Sequence, residues 1–78
     1  MRSKQNYLLI ERLEVIRKTL KAGLYASTTL LKKRIMDSLG TEVSSQTLYR
    51  DVNFLRDRMG LDIRYDSSKR GYYIPSDK

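Results

Sequence analysis

Apolar residues in this chain keep helical spacing as far as Gly60 and strand spacing beyond it, which confines the fold to a helical block followed by a small β element. Leu9, Leu13, Ile16 and Leu20 recur at intervals of four, three and four. Leu31, Ile35 and Leu39 follow at four and four, and Leu48, Val52, Leu55 and Met59 repeat the first rhythm. Past Gly60, Ile63 and Tyr65 alternate with Asp62 and Arg64, and Tyr72 and Ile74 alternate with Gly71 and Tyr73. Each helical set makes one stripe, so three helices must pool their stripes into a common core.

Local signals place the boundaries. The first helix is expected at about 5–22, with Arg17, Lys18 and Lys21 at the negative end of its dipole and Gly23 as its stop. The second is expected at 28–39, capped by Ser27 or Thr28 and ended by Gly40 in a left-handed conformation. The third is expected at 45–59, with Ser44 as N-cap, Val43 stapled onto its first turn and Gly60 as its stop. A hairpin over about 62–74 turns through the polar run Asp66-Ser67-Ser68-Lys69-Arg70, and Pro75 ends its second strand. A lone two-stranded ribbon is marginal in water, so Ile63, Tyr65, Tyr72 and Ile74 are expected to lean on the helices. The fold class is α+β, mostly helical, in one domain over residues 1–78.

The chain has 78 residues, and one this short buries only about 60% of its unfolded surface. It has no Cys and no His, which removes zinc fingers, thiol nucleophiles, imidazole bases and disulfides. Carboxylate or lysine chemistry would still need a substrate-burying pocket beside a full core, so the reading is not an enzyme, and no cofactor or metal is expected. No apolar run reaches the roughly 20 residues of a membrane span, and no h-region follows the basic Met1-Arg2-Ser3-Lys4, so neither membrane insertion nor secretion is expected.

Sixteen Lys and Arg against nine Asp and Glu leave a formal charge of +7, which points to a polyanionic partner. A basic surface that is merely solvated would carry the same charge. Residues 1–43 hold nine basic and four acidic side chains, a net +5, whereas residues 44–78 hold seven and five, a net +2. Most of the attraction therefore comes from the first half, where Lys32, Lys33 and Arg34 are consecutive.

With the third helix centred on its apolar stripe, Gln46, Arg50, Asn53 and Asp57 point away from the core, flanked by Thr47 and Tyr49. Arg can pair bidentately with guanine in the major groove, and Gln or Asn with adenine. The free N–H groups of the helix N-terminus suit a neighbouring phosphate. The bland alternative is an ordinary wet helix face.

The context favours recognition. The run Val43-Ser44-Ser45-Gln46-Thr47-Leu48-Tyr49-Arg50-Asp51-Val52, with Leu55-Arg56 beyond it, resembles the recognition-helix signature of bacterial winged helix-turn-helix regulators of the DeoR-like type. The N-terminal domain of WYL-domain transcription regulators is the nearest likeness. Gly60-Leu61-Asp62-Ile63-Arg64-Tyr65-Asp66, with Gly71-Tyr72-Tyr73-Ile74, resembles that family's wing, and the similarity covers about residues 7–74.

The resemblance implies that Ser45, Gln46, Thr47, Tyr49 and Arg50 face double-stranded DNA, and that Lys69 and Arg70 at the wing tip touch backbone or minor groove. Asn53 joins the base-facing row, and Lys32 and Lys33 are candidate phosphate contacts. Asp51 is expected to pair with Arg12 at the core edge. The turn Gly40-Thr41-Glu42-Val43 is about two residues longer than the family's usual Gly-Val turn. In such regulators a ligand-sensing region normally follows, and Pro75-Ser76-Asp77-Lys78 stands where a linker would start. The implied setting is the bacterial cytoplasm, at the nucleoid, with a possible homodimer on DNA and no small-molecule site within these residues.

Two rivals use the same residues differently. Arg70-Gly71-Tyr72-Tyr73-Ile74 has a passing likeness to the basic-Gly-aromatic motif of RNA-recognition domains, but that fold needs four strands. A protein-interaction or dimerisation module with a basic surface would use Leu8, Val15 and Phe54, which fall off the main stripes and otherwise belong to the core edge.

Overall fold

The computed structural model describes the backbone of residues 3–75 and side chains from Tyr7 onward; Met1, Arg2 and the linker-like Ser76-Asp77-Lys78 lie outside the described residues. The element order is α1 (Ser3–Lys21), α2 (Thr28–Leu39), α3 (Ser45–Asp57), β1 (Arg64–Asp66) and β2 (Gly71–Tyr73). This is a small α+β domain of three helices and a two-stranded antiparallel hairpin.

Caps set the helix starts. Ser27 Oγ accepts the Leu30 N–H at 3.1 Å, and Ser44 Oγ accepts the Thr47 N–H at 3.1 Å. Each bond satisfies one of the donors that the first helical turn leaves without an intrahelical partner. Gly40, at φ +69°, ends α2 with its N–H on the Met36 carbonyl at 2.8 Å.

The third helix is shorter than its apolar rhythm implies. It stops at Asp57 with Arg58 as C-cap, two residues before Gly60, which lies in the turn beyond at φ +74°. The Leu61 N–H reaches back to the Leu55 carbonyl at 3.1 Å, so the chain has already left the helical path. Met59, expected as the fourth core residue, is therefore 58% exposed.

Leu13, Ile16 and Leu20 of α1 meet Leu31 and Ile35 of α2 and Leu48, Val52 and Leu55 of α3 in one core, with Leu9, Val15, Leu39 and Val43 half-buried around it. Burying each large aliphatic contributes about 1.5–3 kcal/mol. Thr19 is also buried, its hydroxyl donating to the Val15 carbonyl at 2.8 Å. Arg12 reaches from α1 to Asp51 on α3 with two bonds, Nε to Oδ2 at 2.7 Å and Nη2 to Oδ1 at 3.1 Å. The pairing is the one the family resemblance implied.

The hairpin strands are three residues each, shorter than 62–74 suggested, with Arg64 opposite Tyr73, Tyr65 opposite Tyr72 and Asp66 opposite Gly71. Sequence periodicity missed a third participant. Ala26, between α1 and α2, exchanges both backbone hydrogen bonds with Tyr72, each 2.9 Å. The order across the ribbon is thus Ala26, β2, β1. A Cβ on Gly71 would sit 2.9 Å from Ala26 N and 2.9 Å from Tyr25 C, so only glycine permits this approach.

This order explains the hairpin's burial. Tyr72 on the inner strand is buried with Ile63, and Ile74 is half-buried. Tyr65, expected in the core, lies on the outer strand, is 54% exposed, and meets the Tyr72 ring edge-on at 5.1 Å.

Candidate nucleic-acid interface

Helix α3 carries the candidate row because its other face is fully committed. Leu48, Val52 and Leu55 are at most 1% exposed and Asp51 is held by Arg12. The opposite side of a 3.6-residue helix must then face solvent. Gln46, Arg50, Asn53 and Asp57 are all exposed, and Tyr49 is half-exposed on one flank.

These side chains are not equally available. Arg50 takes part in no ion pair among the described residues, and its guanidinium keeps every donor. Asn53 is exposed, and its Oδ1 accepts from Arg56 Nη1 at 3.1 Å, which uses one of the two lone pairs of the oxygen that a bidentate adenine contact also needs. Ser45 and Thr47 are half-buried, and the Thr47 hydroxyl accepts from Ser44 Oγ at 3.1 Å. Both therefore belong to the start of the helix as much as to its outer face. Arg56, which the resemblance left without a role, is a strut: its Nε donates to the Ile63 carbonyl at 3.2 Å and ties α3 to the hairpin.

Burial pushes the Tyr72 hydroxyl above its ordinary pKa, and the neighbouring Tyr49 hydroxyl pushes it the same way.

The hairpin tip is ordered by one carboxylate. Asp66 Oδ1 accepts the Ser68 N–H at 2.9 Å, the Ser68 hydroxyl at 2.7 Å and the Lys69 N–H at 3.1 Å. The Ser68 hydroxyl bond and then the Lys69 amide hold this carboxyl below its usual pKa. Arg70 follows in the left-handed region at φ +54°. Both tip cations are exposed, and the Lys69 ammonium lies 4.7 Å from the centre of the Tyr25 ring.

Of the α2 cations, two share a cleft and one lies apart. Lys32, which is half-buried, and Lys33 line one cleft of about 370 Å³ between α2 and the turn into α3, with Met36, Glu42 and Val43. Lys33 is exposed and pairs loosely with Asp37 at 3.4 Å. Arg34 is exposed and lines a cleft of about 380 Å³ between α1 and α2 together with Glu11 and Glu14. Consecutive residues on a helix are 100° apart, so the third cation of the Lys-Lys-Arg run turns to another face than the first two.

Leu8 and Val15 are half-buried, as core-edge residues are, whereas Phe54 is 37% exposed. Phe54, Met59 and the 60%-exposed Ile10 border an apolar groove of about 230 Å³ between α1 and α3, floored by Leu9, Leu13 and Leu55.

Among the described residues, no group of three or more His, Cys, Asp or Glu side chains is placed to hold a metal, and no helix is long and apolar enough to cross a membrane. Compared with models of known protein families, with curated proteins and with solved structures, the chain matches none.

Proposed function

We propose that this chain is a winged helix-turn-helix domain that binds double-stranded DNA sequence-specifically, as part of a bacterial transcription regulator in the cytoplasm. In this reading α2 and α3 are the helix-turn-helix, α3 enters the major groove, and the hairpin is the wing. The observation that carries it is Arg50: a guanidinium in no ion pair among the described residues, on the outward face of a capped helix whose inward face is fully buried. Gln46, one turn earlier on the same face, supplies a second base-reading side chain. The element order also supports it, since a helix, a bridging strand residue, two helices and a hairpin follow one another as in that fold. Binding would need no metal, cofactor or covalent step; phosphate contacts supply affinity and base edges supply choice.

The test is a duplex titration across salt, after a preferred site has been selected from a random duplex pool. Affinity should fall with a slope of about −0.9 in log–log terms for each phosphate neutralised. Arg50→Ala should lose about 1–3 kcal/mol on that site and relax preference at one base pair. Lys33→Ala should weaken all duplexes alike, and Lys69→Ala with Arg70→Ala should lower the slope by about two. A slope near zero, or no binding at low salt, removes the DNA reading.

One observation favours a second reading, that of a protein-interaction or dimerisation module. Ile10, Phe54 and Met59 expose apolar surface around a single groove. A module of that kind would show no salt-sensitive affinity for duplex and would lose its partner on Phe54→Lys.

A further inference from the structure

We infer that Tyr25, in the connection between α1 and α2, is the positioning residue for the wing-tip cation Lys69; the inference rests on the DNA reading and adds to it the group that aims the wing. Composition suggests a loose tip, because Ser67-Ser68-Lys69-Arg70 is small and polar. Lys69 is instead constrained at both ends. Its backbone N–H is fixed on Asp66 Oδ1 at 3.1 Å, and its ammonium rests 4.7 Å from the Tyr25 ring centre, within cation–π range.

The ring beneath it is itself immobilised. Tyr25 packs on Tyr73 of β2 with centroids 4.9 Å apart and planes tilted by 33°. Its backbone leads directly into Ala26, which is clamped to Tyr72 by two bonds of 2.9 Å, and the bare Gly71 allows that clamp to close. Tyr25 nevertheless remains 43% exposed, so its ring edge and the cation above it stay open to solvent. A lysine ammonium is a compact charge on a flexible stem. Held on an aromatic face it keeps its charge and two or more outward N–H donors while losing the freedom that phosphate binding would otherwise remove. The aim of the wing is thus set by the α1–α2 connection as well as by the wing's own turn.

The experiment combines NMR of Lys69 with duplex binding for the full chain and its Tyr25→Phe and Tyr25→Leu variants, each checked by thermal melting. In the unmodified protein, ring current should move the Lys69 ε-methylene protons upfield of those of the other lysines. Tyr25→Phe keeps the aromatic face and should preserve both that shift and the affinity. Tyr25→Leu should abolish the shift and weaken duplex binding at low salt by about two- to fivefold. In a Lys69→Ala background, Tyr25→Leu should then have no further effect. An unshifted Lys69 in the unmodified protein overturns the inference. So does an unchanged affinity in Tyr25→Leu, or an equal loss in the Lys69→Ala background. If the unmodified protein has the shifted Lys69 but does not bind duplex, the DNA reading fails and the role of Tyr25 with it, while the contact itself stands.

Discussion

Removing Arg12 should destabilise this domain more than any other single charge change. The Asp51 side chain is 4% exposed and its two hydrogen-bond donors both belong to Arg12, whose own side chain is 15% exposed. At an effective dielectric of about 20, unit charges about 4 Å apart attract by about 4 kcal/mol, and much of that offsets the desolvation of both ions. The net value of the pair is therefore modest. Arg12→Ala alone is different, because it leaves an uncompensated carboxylate between α1 and α3, a change that costs about 3–5 kcal/mol. A domain of this size has stability near the low end of the usual range of about 5–15 kcal/mol, so the loss is most of what it has. Urea unfolding of the unmodified protein, Arg12→Ala, Asp51→Leu and Arg12→Met/Asp51→Leu would measure the cycle. The apolar double variant should recover most of the loss seen in Arg12→Ala. A loss below about 1 kcal/mol in Arg12→Ala would refute the reasoning, since the pair would then behave like an exposed one.

Gly71→Ala should destabilise by about 1–3 kcal/mol, because its Cβ meets backbone rather than a movable side chain; the melting temperature and exchange of the Ala26 and Tyr72 amides would report it. The hairpin tip should be pH-sensitive: the Asp66 carboxyl is held below its ordinary pKa, so the turn's ordering is present above the usual carboxylate range and is lost as pH falls through the lowered value. Protection of the Ser68 and Lys69 amides followed from neutral to acid pH would show this, and Asp66→Ala should remove the dependence. Without DNA the chain should sediment at micromolar concentration as a monomer or weak dimer, since the groove that Ile10, Phe54 and Met59 border is only about 230 Å³. A tight dimer that Phe54→Lys dissociates into folded monomers would show a built-in interface.

Sequence alone determined the elements that depend on near neighbours. Ser27, Ser44 and Gly40 act through bonds within four residues, so the start of α2, its end and the start of α3 were legible. The outward row on α3 was legible too, because helical phase places Arg50 opposite Leu48, Val52 and Leu55 whatever the helix packs on. The Arg12–Asp51 pair, by contrast, was expected from the family resemblance and not from helical phase. Phase ceased to predict burial where the chain left the helix: Met59 keeps the spacing but lies beyond the C-cap at Arg58.

Tertiary structure decided whatever depends on which strand is innermost. Tyr65 and Tyr72 are paired residues with the same residue type, yet one is exposed and the other buried because Ala26 bonds to β2 and leaves β1 outside. A single bridge residue has no periodicity to read, and the glycine that admits it looks from sequence like any turn glycine. The same contact brings Tyr25 beneath Lys69 from 44 residues away. Periodicity specifies which side of an element is apolar; only close packing between distant segments specifies what that side, or the opposite one, will touch.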